Sequence, residues 1–220
     1  MATRWYPSVY ALQVPDVSPA YDTNAWDETA SAVRRKLIID TPAGTIGTYN
    51  SDQATVNATA YYLLFQFVSE PLDAISATLA VSKACFRCFE SGVKLDGLLH
   101  LVFRKCDEDG NNPTTIATLT DDTEFDDNDP VNRFVGPSNL TDQSFSQGDR
   151  FIVEVGFKDS TKDSLLFGSI YGDDNSGTDL PENDTETAAY NCWIETGDTF
   201  TVASGDPPEV VKLGPMFAFA

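Results

Sequence analysis

The stretch RFIVEVGFKD alternates: Phe151, Val153, Val155 and Phe157 fall on one face, and Arg150, Ile152 and Glu154 on the other. A side-chain period of two belongs to a β-strand, because successive Cβ atoms point to opposite faces. The pattern recurs in TAYYLLFQFVSEPL, where Tyr61, Leu63, Phe65 and Phe67 share one face and Tyr62, Leu64, Gln66 and Val68 the other. Both faces are largely apolar, so this strand is expected to be covered on both sides, and Pro71 closes it. In ISATLAVSKACFRCFES the apolar phase runs through Ile75, Ala77, Leu79 and Val81, then moves after Lys83 to Ala84, Phe86 and Cys88. A bulge or a change of sheet would produce that flip. VKLDGLLHLVFRKCDEDGNNPTTIATLT reads as a hairpin turning at Asp109-Gly110 and Pro113.

Short strands with turn signals between them, joined by several connections of about ten residues, predict an all-β fold: an antiparallel β-sandwich of jelly-roll type. The one helical candidate is TNAWDETASAVRRKL, with Thr23 or Asn24 as its cap. The expected organisation is an irregular attachment segment over 1–55 containing that helix, the sandwich over 56–204, and an extended C-terminal arm over 205–220.

The arm poses a question of its own. A chain of formal net charge -20 ends in GPMFAFA, with no charged side chain after Lys212. Apolar side chains at a terminus gain nothing from water. Met216, Phe217 and Phe219 are therefore either the last strand of the home sheet or an arm covered at an edge or by a neighbour. Pro207-Pro208 and Gly214-Pro215 interrupt regular pairing and favour the arm. Burying each large side chain would contribute roughly 1.5–3 kcal/mol before ordering costs.

Acidic residues number 34 against 14 Lys and Arg. That balance argues against a nucleic-acid groove, which needs clustered positive charge, and against anionic membrane surfaces. No apolar run approaches the ~20 residues of a membrane helix. MATRWYPSVY lacks a basic region followed by an apolar stretch, so no signal-dependent export is expected.

Chemistry is sparse. Cys85 and Cys88 form a CxxC, but three positions along a strand face opposite sides, so one metal could not easily take both. With Cys106 and Cys192 they read as buried free thiols. His100 is the sole histidine and sits inside a strand as a packed or rim residue. No nucleophile elbow, phosphate loop or zincin motif is present, so neither catalytic nor cofactor-binding residues are assigned. Glu154 interrupts an apolar strand and could serve a glycosidase pair, which needs two acids about 5–10 Å apart. An ion pair with Arg150, its period-two neighbour, is the simpler reading. In DDNSGTDLPEND, Asp173, Asn175, Asp179 and Asp184 fall on calcium-ligand positions, although Thr178 stands where glycine is needed. Structural Ca²⁺ is the one cofactor considered, against solvated acidic turns; Asp107, Asp109 and Asn111 share that ambiguity. Trp193 alternates with Cys192 and Ile194, which suits burial. Trp5, Tyr6 and Trp26 are expected to pack at the sandwich edge or against a neighbour, forming an interface set with Met216, Phe217 and Phe219.

The ordered series ATRWYPS, WDETASAVRRKL, FVSEPLDAISATL, LHLVFRKCDEDGN and QGDRFIVEVGF, followed by YGDDNSGTDL, resembles a loosely defined group of bacteriophage and prophage proteins encoded among virion structural genes. In that group an "RFYLPS"-like start precedes a Trp and an Arg pair, then a "VSxPL" step, an "NDG"-like turn and a "GDRxVxEVG" strand. The match spans residues 2 to about 195; the insertion around DDTEFDDNDP and the cysteine-containing strands depart from it. The resemblance implies a non-enzymatic virion component, expected as a capsid decoration or cement protein on the particle exterior after synthesis in the host cytoplasm. The alternative is a tail-associated host-recognition or carbohydrate-binding β-sandwich domain. Implied partners are the major capsid protein or neighbouring copies, with a homo-oligomer, by analogy a trimer, and neither nucleic acid nor membrane.

Overall fold

The computed structural model describes residues 2–7, 14–39, 60–77, 79, 82–92, 95–127, 129–138, 140, 142–159, 167–171, 178–182 and 191–203. Among these the regular structure is all β. The strands are β1 (Thr3–Pro7), β2 (Val33–Ile38), β3 (Ala60–Ser69), β4 (Ile75–Ala77), β5 (Ser82–Glu90), β6 (Leu98–Cys106), β7 (Thr114–Glu124), β8 (Val131–Ser138), β9 (Gln143–Phe145), β10 (Arg150–Asp159), β11 (Gly168–Tyr171) and β12 (Trp193–Thr196).

Most of them form one curled sheet in the order β11-β5-β12-β1-β2-β3-β10-β6-β7, with β8 on the other side of β5. β1 is the hinge of the curl. Its first half, Thr3 to Trp5, pairs with β12, while Tyr6 and Pro7 pair with β2. Two layers result, β8-β5-β12 facing β2-β3-β10-β6-β7, with a sandwich-like core between them. Among the described strands every pairing is antiparallel except β2 with β3; isolated parallel bridges join Glu28 to Tyr62 and Asp179 to Asn191. A second, two-stranded sheet joins β4 to β9.

Two departures from expectation concern the N-terminal segment. Among its described residues, Thr3–Pro7 and Val33–Ile38 are strands of the sheet, so these stretches are not irregular. The expected helix is absent as well: Ala25 and Trp26 both donate to the Asp22 carbonyl in one turn, Ala32 donates to the Thr29 carbonyl in a second, and β2 then extends from Val33. Val33 and Leu37 gain more by packing beside β3 than helix propensity offers, a case of tertiary contact overriding local preference.

The core holds Trp5, Phe67, Phe86, Phe103, Phe151 and Phe157, all fully buried. Trp5 packs on Phe151 with ring centroids 5.4 Å apart. β10 alternates as its sequence predicts, with Phe151, Val153, Val155 and Phe157 in this core. β3 does not. A bulge opposite Val155 and Gly156 puts both Leu64 and Phe65 into the main core and leaves Leu63 in a separate cluster with Trp26 and Val102. The phase flip has both expected sources: β4 belongs to the small sheet and β5 to the large one, and β5 itself carries a register shift between Ser82 and Ala84, at Lys83. The β6–β7 hairpin forms as expected. At its turn Gly110 adopts φ +80°, a conformation open to glycine at little cost. The Asp107 carboxylate accepts from Asn111 N–H at 2.6 Å and from Asn112 Nδ2 at 3.0 Å, so it holds the turn.

Candidate functional site

The face of β3, β10 and β6 opposite the main core carries Gln66, Arg104, Arg150 and Glu154. It is covered by the strap of residues 14–32 that leads into β2. Glu154 is fully buried there. Its Oε1 accepts from Arg104 Nη1 at 2.7 Å and Gln66 Nε2 at 2.9 Å. Its Oε2 accepts from Trp26 Nε1 at 2.7 Å, and the Asp22 backbone N–H reaches both oxygens at 3.3 Å. Four donors therefore surround one carboxylate, three from other strands and turns and one from backbone. A buried ion is tolerated only when paired and hydrogen-bonded in this way.

The network continues outward. Gln66 Oε1 accepts from Arg34 Nε at 2.7 Å, and Arg34 Nη2 donates to the Pro19 carbonyl at 3.0 Å. Arg104 Nη1 also donates to the Ala20 carbonyl at 2.6 Å. Lower on the strap, Arg150 grips Asp16 with both terminal nitrogens, at 2.9 and 3.0 Å. The expected Glu154–Arg150 pair is thus replaced. Both side chains point to the same face, but Arg150 turns to the strap and Glu154 takes Arg104 from the neighbouring strand. Nothing local in the β10 sequence distinguishes those partners.

Beside this network, Asp22, Asn24, Arg104, Pro113, Thr114 and Thr118 line a cleft of about 530 Å³ between the strap and the hairpin. A bulge between the Phe103 and Arg104 pairings shifts the β7 register, setting Thr115 opposite Arg104 and Thr118 opposite Val102 on this outer face. Thr115 Oγ1 donates to Asp22 Oδ2, and Asn24 N–H donates to Asp22 Oδ1 at 3.0 Å. Burial pushes the Asp22 carboxyl up, yet the bonds from Thr115 and Asn24 and the nearby Arg104 charge outweigh it and hold the group below its ordinary value. Arg104 Nε lies 4.0 Å from Asp22 Oδ2 and has no hydrogen-bond partner among the described residues.

The other predicted positions resolve as follows. Trp5, Tyr6 and Trp26 are buried within the chain itself, so the interface expected of them is corrected to internal packing: Trp5 closes the main core, and Trp26 pins the strap. Trp193 is buried too, with the Arg4 guanidinium 4.2 Å from its ring centroid. All three tryptophans are thereby removed as exposed sugar platforms. His100 lies edge-on to Trp26 at 5.0 Å and bonds Thr120 Oγ1 at 2.7 Å. Burial first, and Lys158 second, lower it to about 4. Cys85, Cys88, Cys106 and Cys192 are buried thiols outside any disulfide, and burial drives the Cys88 thiol well upward. Asp179 is engaged by Arg4 at 2.5 Å and by the Tyr6 hydroxyl at 3.2 Å. Asp173, Asn175 and Asp184 lie outside the described residues, as do Met216, Phe217 and Phe219 with the whole arm. Among the described residues no group of three His, Cys, Asp or Glu side chains is placed to hold a metal ion.

Arg104, Gln66 and Asp22 were not singled out from sequence. A signal existed for Gln66, which interrupts the apolar run YYLLFQFV; Arg104 stands beside Lys105 in a strand that also holds His100, and nothing local marks it out. No protein family and no curated protein matches this chain.

Proposed function

We propose that the chain is a non-enzymatic structural component of a bacteriophage particle, a capsid decoration or cement protein on the outer shell. The observation that carries the non-enzymatic part is the state of Glu154. The carboxylate best placed by sequence for acid–base work is sealed from solvent and held by four donors. A general acid must reach its substrate within hydrogen-bond distance, directly or through one water. Here the polar groups of the outer face fasten the chain to itself instead.

The virion assignment rests on the sequence resemblance. A sandwich strapped down across its outer face suits a part that must stay folded in an exposed position, and a net charge of -20 keeps such a part soluble before assembly. Capsid protein or neighbouring copies are the partners this reading calls for. Quantitative mass spectrometry of purified particles tests it: the chain is expected at a fixed ratio to the capsid protein. Its absence from particles would overturn the reading.

A further inference from the structure

The cleft between the strap and the β6–β7 hairpin has a composition that internal fastening does not account for. Asn24, Thr114 and Thr118 are exposed at its rim, and no hydrogen bond from their side chains contributes to the strap network. At the base sit Asp22 and Arg104, both buried. Each has capacity left. The Asp22 oxygens take one bond each from Asn24 N–H and Thr115, whereas a carboxylate offers about four acceptor sites. Arg104 carries five N–H donors, of which Nη1 serves Glu154 and Ala20, while Nε has no hydrogen-bond partner among the described residues. Ala25 and Pro113 add apolar wall.

Charge narrows the choice of ligand. Arg104 faces two carboxylates, 2.7 Å from Glu154 and 4.0 Å from Asp22, so its positive charge is already matched and an anion gains little. A hard cation needs several oxygens converging on one point, and the lining offers only one carboxylate, already donated to twice. What remains is a neutral ligand presenting neighbouring hydroxyls, which donate and accept in turn. The volume, about 530 Å³, lies within the usual range for small-molecule sites, roughly 300–1,000 Å³.

We propose that this cleft binds a neutral saccharide, with hydroxyls held by Asn24, Thr114, Thr118 and Asp22 and a C–H face against Pro113 and Ala25. The inference does not depend on where in a particle the chain sits. It also differs from a tryptophan-platform site, since no tryptophan lines the cleft.

The test is ¹H–¹⁵N NMR of the full chain titrated with glucose, galactose, mannose and N-acetylglucosamine, with inorganic phosphate in parallel. At least one sugar is expected to give saturable shifts concentrated at the amides of Asn24, Thr114 and Thr118, and phosphate none. Asn24→Ala combined with Thr118→Val, which removes two exposed side chains that make no bond in the strap network and keeps the Asn24 N–H bond to Asp22, is expected to weaken that sugar about tenfold, the loss of roughly one or two hydrogen bonds. An unchanged thermal midpoint confirms that the variant is folded. No saturable shift with any of the four sugars, shifts elsewhere that the double variant leaves intact, or saturation by phosphate at these amides would each overturn the proposal.

Discussion

Replacing Glu90 by Gln is expected to stabilise the protein at neutral and alkaline pH and to reverse part of its pH dependence. Glu90, on β5, is 3% exposed and accepts Gly97 N–H at 3.1 Å. Burial is the main cause that raises its carboxyl from 4.5 to about 7; the Gly97 bond opposes this, and the Glu124 and Asp96 charges add to it. A carboxyl that holds its proton more tightly folded than unfolded contributes stability below about pH 4.5, and that contribution is lost as pH rises through about 7. Two and a half decades at about 1.4 kcal/mol each give about 3.5 kcal/mol, which residual solvent screening trims to a loss of about 3 kcal/mol by pH 8. His100 acts in the opposite sense. Held at about 4 against an ordinary 6.5, it contributes stability above about pH 6.5 that is lost as pH falls towards 4. Between about pH 4.5 and 6.5 the two slopes nearly cancel.

Glu90→Gln keeps an amide oxygen for Gly97 and removes the ionisation. The His100 slope is then unmasked, so the variant gains stability from pH 4 to 6.5 where the parent is flatter. It also exceeds the parent by up to about 3 kcal/mol at pH 8. Urea denaturation of both proteins at half-unit intervals from about pH 4 to 8 reads this directly. Stability curves that run parallel across the whole range would refute the reasoning, because they would mean that Glu90 does not titrate differently in the folded state.

Three further outcomes are expected. Glu154→Ala leaves Arg104 buried without its partner and should cost about 3–5 kcal/mol in chemical denaturation, with a change in Trp26 fluorescence as the indole loses its acceptor; a cost below about 1 kcal/mol would show that the network is not sealed. Gly156→Ala would set a Cβ 1.9 Å from the Tyr62 carbonyl oxygen and 2.7 Å from the Trp26 ring, so a loss of about 3 kcal/mol or more is expected from overpacking, seen as a lowered thermal midpoint. Truncation after Lys212 should leave the circular dichroism and thermal midpoint unchanged and abolish association with particles or with other copies; a misfolded product would instead assign the last segment to the home core.

The all-β class was legible in the sequence because its signals are short-range. RFIVEVGFKD carries a faultless period of two, DGNNP carries turn chemistry, and each works within a few residues whatever surrounds it. Gln66 was legible in kind, as a polar side chain stranded in an apolar strand, but not in partnership; Arg104, next to Lys105, carried no such mark. Glu154 could choose among several cations by sequence, and only the placement of β6 beside β10 brought Arg104 rather than Arg150 to it. The bulge at Leu64 defeated strict alternation in β3, and the parallel pairing of β2 with β3 defeated a helix that local propensity favoured. Trp5 and Trp26 looked available for a partner because nothing near them in sequence covers them. Their burial was decided by distant chain: Phe151 and Phe200 pack on Trp5, and Leu63, Val102 and the Glu154 carboxylate receive Trp26. Local periodicity tells which side chains share a face of a strand; what lies across from that face depends on chain folded from elsewhere, and only the assembled structure supplies it.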